Sequence, residues 1–200
     1  MAADLVAALK RHGGELRTGA GVQRVRIEGQ RARGVVLAGG EEIAARSVLA
    51  TADPRHSLLD LVGAPELPPE FVWQAQSIKL RGSVAKLHWL TDGSHGLPEG
   101  TLAVAPSIRY LERAFDAAKY GELSAQPYLE ITTRGNVVSA HFQFAPFALR
   151  QGDWADARAQ LERIATDTLS AHIPHFANAV RQLRSITPAD LQATWGLTEG

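Results

Sequence analysis

Apolar residues recur along this chain with two periods, and the switches between them predict its elements. Near the start, Leu5, Val6 and Leu9 share one face of a helix over 3–11, which Gly13-Gly14 stops. Polar–apolar alternation then takes over. Glu15-Leu16-Arg17 is extended, and Val22, Val25 and Ile27 mark a strand that is irregular at Gln23-Arg24. Residues 34–37 form its return and 42–44 a third strand, with turns at 28–31 and Gly39-Gly40, so the expectation is a β-meander. Ser47-Val48-Leu49-Ala50 reads as a fully apolar strand buried on both faces. It runs straight into Thr51-Ala52-Asp53-Pro54, which is either a surface turn or a strand end at the edge of a ligand site.

Beyond Pro54 the pattern changes. Short helices are expected at 56–61 and 69–76, on either side of the proline-rich APELPPE. Residues 82–90 alternate as a strand, with Leu87 and Trp89 on one face and Val84, Lys86 and His88 on the other. A short strand at 101–105 and a helix over 107–119, capped by Ser107, follow. Strands are expected at 128–132 and 137–144. The second sets Val138, Ala140, Phe142 and Phe144 against Val137, Ser139, His141 and Gln143. Asp153 caps a long helix in which Trp154, Ala157, Leu161, Ile164, Thr168 and Leu169 repeat at helical spacing to about His172. A strand at 180–186 and a helix opened by Thr187-Pro188 close the chain. A helix, a meander and then intermixed strands and helices define an α+β class.

Composition narrows the options. Of 200 residues, 45% are hydrophobic, enough for a real core. Lys+Arg and Asp+Glu are 21 each, so nothing in the net charge favours nucleic acid or an acidic membrane. The absence of cysteine excludes disulfides, cysteine–zinc sites and thiol catalysis. No apolar run is long enough to span a bilayer, and a cytoplasmic protein without an integral membrane segment is expected.

Gly19-Ala20-Gly21 through Val25 imitates a dinucleotide fingerprint, but a strand follows where a helix is needed, and Val25 stands in the third glycine's place. His172 and His175 are separated by Pro174, which breaks the helix that would align them, so no metal site is expected; His12, His56 and His95 read as surface or structural. Two stretches hold more interest. Lys86 is a mid-strand lysine among apolar residues, which leaves open a solvated strand face or a cavity wall. His141 and Gln143 share a face of the strand at 137–144, with the same two readings.

These pieces, in order, resemble a known family. "GGELRTGAGVQRVRIEGQRARGVVLAGGEEIAARSVLATADP" is similar to the internal segment of FAD-dependent oxidoreductases of the phytoene desaturase and amine oxidase superfamily. "RGSVAKLHW", "FQFAPFAL" and "ITPADLQATWGLTEG" resemble its phytoene dehydrogenase-like branch, and the likeness covers nearly the whole chain. The resemblance implies a partial FAD-binding domain over 1–54, made of the helix and meander, and a mixed-sheet substrate-binding domain flanked by helices over 55–200. It implies FAD as cofactor, with Val22 placing its backbone by the adenine and Thr51, Ala52, Asp53 and Pro54 lying beside the cofactor. Lys86 matches the lysine that reaches a water beside the flavin N5, and His141 and Gln143 would line the substrate pocket. The implied reaction is hydride transfer from a C–H bond of a small apolar or amine substrate to flavin.

The family's strand–GxGxxG–helix unit and its closing flavin segment have no counterpart in these 200 residues. The expectation is therefore an internal fragment that is not catalytically complete and does not bind FAD tightly alone. It would form a homo-oligomer, or meet a partner chain covering the exposed FAD-domain surface. The alternative is a non-catalytic substrate-binding or assembly module that needs a partner supplying the nucleotide-binding half.

Overall fold

In the computed structural model, which describes residues Met1–Gly200, the meander forms as its alternation demands. Helix α1 (Ala2–Arg11) comes first, closed by the Gly14 N–H donating to the Leu9 carbonyl. Strands β1 (Val22–Glu28), β2 (Arg31–Leu37) and β3 (Glu42–Ala44) pair antiparallel in the order β1-β2-β3. The register shifts between Val22 and Arg24, at the irregularity anticipated there. Val25, Val36 and Leu37 are buried. Gly34 is required where β2 meets β3: its φ is +146°, and a Cβ there would stand 2.1 Å from the Ile43 carbonyl oxygen.

The apolar run Ser47–Ala50 is not a strand, contrary to its composition. It is coil, and Leu49 is 92% exposed. Val-Leu-Ala becomes a buried strand only when a neighbour supplies ladder hydrogen bonds and an apolar layer covers it. No strand of this chain pairs with it. Thr51–Pro54 is accordingly not a strand end. Asp53 accepts the His56 N–H on its side chain at 2.9 Å and the Ser57 N–H on its carbonyl at 2.9 Å, while Pro54 stands in the first helical turn. The acid followed by proline is a helix start, where a missing N–H costs nothing. A π-helical segment (His56–Gly63) follows and packs against β1. After one 3-10 turn (Ala64–Glu66) comes α2 (Pro69–Ser77). With His56–Gly63 packed on β1, the first compact unit runs from Met1 to Ile78.

The second unit, Lys79–Gly200, is built on a five-stranded sheet. Its elements are β4 (Val84–Thr91), β5 (Gly100–Val104), α3 (Ile108–Lys119), β6 (Leu129–Arg134), β7 (Val137–Gln143), α4 (Trp154–His172), α5 (Phe176–Ala179), β8 (Val180–Ile186) and α6 (Pro188–Trp195). The strand order is β5-β6-β7-β4-β8 and all four pairings are antiparallel, so the sheet expected to be mixed is not. A tight turn at Gly135 reverses β6 into β7, and β4 runs against both of its neighbours.

Alternation sorts the two faces of this sheet. Ala85, Leu87 and Trp89 of β4, Leu129 and Ile131 of β6, and Val138, Ala140 and Phe142 of β7 are buried with Leu161, Ala165 and Leu169 of α4 and with Phe176. Trp89 meets Phe176 edge-to-face at 5.7 Å and donates its indole N–H to the Thr166 hydroxyl at 3.0 Å, so the buried ring's polar atom is satisfied. Phe144 leaves the buried face on which alternation placed it. Its φ of +64° ends β7 at Gln143, and its ring turns onto the edge of Phe115, 5.4 Å away. Arg158 of α4 ties the C-terminal elements together, donating to both Asp190 oxygens at 2.8 and 2.9 Å and to the Ser185 carbonyl at 3.1 Å. Thr187 and Asp190 close a capping box at the start of α6.

Candidate functional site

With one face of the sheet against α4, the other carries the polar positions of β4, β6, β7 and β8. Register aligns them in rows. Glu130 pairs with His141, His141 with Lys86, and Lys86 with Ile186. One step along, Thr132 pairs with Ser139, Ser139 with His88, and His88 with Arg184. Direct cross-strand neighbours lie about 4.5–5.5 Å apart, close enough to act on one another. The fold thus brings Lys86, His141 and Gln143 onto a single face. Val22 and Thr51–Pro54 belong to the first unit and are not part of this cluster.

Two arrangements divide the face. On the β6–β7 side, Glu130 accepts from the Tyr128 hydroxyl at 2.7 Å and from the Gln143 amide at 3.0 Å, and His141 Nδ1 stands 3.8 Å from it. The Tyr128 and Gln143 hydrogen bonds, and then His141, hold the Glu130 carboxyl below its usual range, while the same bond holds Tyr128 above its own. On the β4–β8 side the polar groups are cations or neutral donors. His88 shares a hydrogen bond of 2.8 Å with the Ser139 hydroxyl. Burial, followed by the charges of Lys86, Arg184 and His141, pushes its imidazole below the ordinary value.

The aromatic end of this face lies past Gln143. Phe144 packs beside Tyr128, with centroids 6.3 Å apart, and meets Phe115. Phe115, Phe144, Pro146, Phe147 and Ala118, together with Arg81 and Lys119, line a groove of about 250 Å³. An apolar recess bordered by a few convergent polar groups is the general form of a small-molecule site.

Tyr128, Glu130, Ser139 and Arg184 were not singled out from sequence. The signal was present. Alternation applied to 128–132 as it was to 137–144 puts Tyr128 and Glu130 on one face. Which strands are neighbours is what sequence alone did not disclose, and Arg184 meets His88 only through that pairing. His95 is structural, its ring bridging the Gly135 carbonyl and the Leu97 N–H at 3.0 and 3.1 Å.

The sequence pattern of the flavin-containing amine oxidoreductases matches residues 1–172. The chain belongs to that family. Among the family's relatives, it is 28% identical over 94% of its length to pyridine nucleotide-disulfide oxidoreductase domain-containing protein 2 of Rattus norvegicus, covering 38% of that protein. It is 26% identical over 95% of its length to the lycopene-forming phytoene desaturase of a Paracoccus strain, covering 40% of it. The chain therefore spans about two fifths of the length of these relatives. An oxidoreductase from Methanosarcina mazei shares the fold, with a TM-score of 0.57 at 13% identity, over 92% of this chain and 40% of that one. No helix is long and apolar enough to cross a membrane.

Proposed function

We propose that this chain supplies part of the FAD-binding domain and the substrate-binding sheet of an FAD-dependent oxidoreductase, one that takes hydride from a C–H bond of a small apolar or amine substrate. The observation that carries this reading is Lys86. It is a lysine in the middle of a strand of a family member, half-buried on the free face of the sheet, next to His141 and with no carboxylate of its own sheet row nearer than Glu130, two strands away. A cation held there suits the edge of a flavin or a water beside it. FAD, when bound, would supply the electron sink. Lys86 would hold the water, and His141 and Gln143 would line the pocket.

In the first unit, the Val22 backbone, at the register shift of β1, would approach the adenine. Thr51 to Pro54 would border the cofactor through their backbone, since the Asp53 carboxylate is engaged with the His56 N–H. The test is Lys86→Met in the assembled flavoenzyme. Folding and flavin content should hold, while flavin reoxidation changes by an order of magnitude or more. Unchanged half-reactions with both substrate and oxygen would sink the role.

One observation favours a second reading. Leu5, Leu9 and Leu49 of the first unit are 65%, 41% and 92% exposed. Such residues suit a module completed by a second copy or by a partner chain that carries the nucleotide-binding half. A colourless protein that stays so with added FAD, and acquires bound-flavin absorption only with such a partner, would favour it.

A further inference from the structure

The charges on the outer face of the second unit's sheet are not balanced. β4 contributes Lys86 and His88, β8 contributes Arg184, and β7 contributes His141; neither β4 nor β8 contains a single acidic residue. The nearest acid by register is Glu130, two strands from Lys86 and so about 10 Å across the sheet. Its oxygens already take the Tyr128 hydroxyl and the Gln143 amide. No ion pair joins Lys86 or Arg184 to any carboxylate. A wholly solvated cluster would leave His88 at its ordinary titration, but burial and then these cations depress it.

We infer that the β4–β8 half of this face binds the carboxylate of an amphipathic acid through Lys86, His88 and Arg184, with the acid's apolar part directed toward Tyr128 and Phe144. The geometry supports each half of that statement. Lys86, His88 and Arg184 lie on adjacent strands within one register step, and two of the three present fixed or flexible N–H donors suited to a carboxylate. Phe144 lies three residues beyond His141, about 10 Å along the strand, and opens onto the Phe115–Phe147 groove. The same cations disfavour an ammonium group, so of the two substrate classes in the proposed function this site favours a largely apolar molecule, here one ending in a carboxylate, over an amine. A bound carboxylate facing His88 offsets the charges that depress it, and binding is accompanied by proton uptake on that ring.

Describing the acid as the substrate rests on the flavoenzyme reading, but its binding does not require flavin. The test uses the chain itself with three probes of equal chain length: octanoate, octylammonium and octan-1-ol. The His88 ring is followed by NMR against pH. Octanoate should raise the His88 midpoint by about one unit, and bind about tenfold more tightly below both midpoints than above them. Octylammonium and octanol should leave the midpoint in place. Arg184→Gln, which removes the charge at an exposed position and keeps a polar side chain there, should abolish most of the octanoate shift while the sheet's amide spectrum is retained. An unmoved His88 with octanoate, equal affinity for octanol, or a full shift in Arg184→Gln overturns the inference. The inference is read from octanoate binding to the chain, and the flavin role of Lys86 from the oxygen half-reaction of Lys86→Met, which involves no acid, so the two readings fail separately.

Discussion

The Tyr128 hydroxyl donates to Glu130 Oε1 at 2.7 Å, two residues apart on one face of the sheet, so ionising the phenol would break this hydrogen bond and set a second negative charge beside the carboxylate. That hydrogen bond, with lesser help from burial and from the charge itself, raises Tyr128 and is the leading cause lowering Glu130. The pair keeps the β6–β7 half of the site protonated at the phenol and ionised at the acid through the neutral range, next to the cationic β4–β8 half.

Replacing Glu130 by Gln removes the acceptor charge but keeps the shape. The Tyr128 titration should then fall toward the ordinary phenol value of about 10. Stability should change by no more than about 1 kcal/mol, because both groups are largely solvated. The ring resonances of Tyr128 followed through the alkaline range decide it. A titration unmoved by Glu130→Gln would mean that burial, not the carboxylate, sets the phenol.

Asp190 makes a stability prediction with a definite sign. Burial alone would raise its carboxyl, but the Thr187 N–H, Arg158 and the Thr187 hydroxyl together outweigh burial and hold it below the usual range. A carboxyl lowered on folding stabilises the native state fully above its unfolded value of about 3.9, and that contribution is lost as pH falls through the lower, folded value. Asp190→Asn should therefore cost about 1 kcal/mol near neutral pH, the usual worth of a cap and a half-exposed ion pair. The wild-type and variant curves should converge in acid. Urea midpoints of the second unit measured from neutral pH downward check this. A gap that persists unchanged into strong acid would show that packing, not ionisation, is what the asparagine loses.

Much of this architecture could be read from period alone, and the misreadings share one cause. The meander, the strand carrying Lys86, the Asp153 and Ser107 caps and the Thr187-Pro188 helix start are set by local pattern. The caps and the helix start close their hydrogen bonds within a few residues and the meander with the next strand, while the strand carrying Lys86 formed because its alternation suits a half-buried position whichever strands flank it. Ser47–Ala50 failed because a strand's identity depends on a neighbour that its own residues do not specify. Phe144 failed because a single positive φ ends the alternation that would have buried it. The candidate site was legible residue by residue, in Lys86, His141 and Gln143, but not as a site. Glu130 and Arg184 reach those residues only through the strand order β6-β7-β4-β8, and pairing order is non-local.

The contrast between Leu49 and Leu161 tests that distinction directly. Both are leucines that the sequence pattern assigns to a buried position, yet Leu49 is 92% exposed and Leu161 is fully enclosed between α4 and the sheet. Leu161→Ala removes buried methyl groups and leaves a cavity, and should destabilise the second unit by about 2–5 kcal/mol. Leu49→Ser touches no packed neighbour, and should change the stability of the first unit by less than about 0.5 kcal/mol. Native-state amide exchange, read separately in the two units, compares the losses. The same Leu49→Ser protein answers a second question by sedimentation. If the exposed leucines of the first unit form a contact surface, self-association at high concentration should weaken in the variant. A large loss of protection on Leu49→Ser would instead mean that 47–50 does pack as the apolar strand its residues suggest.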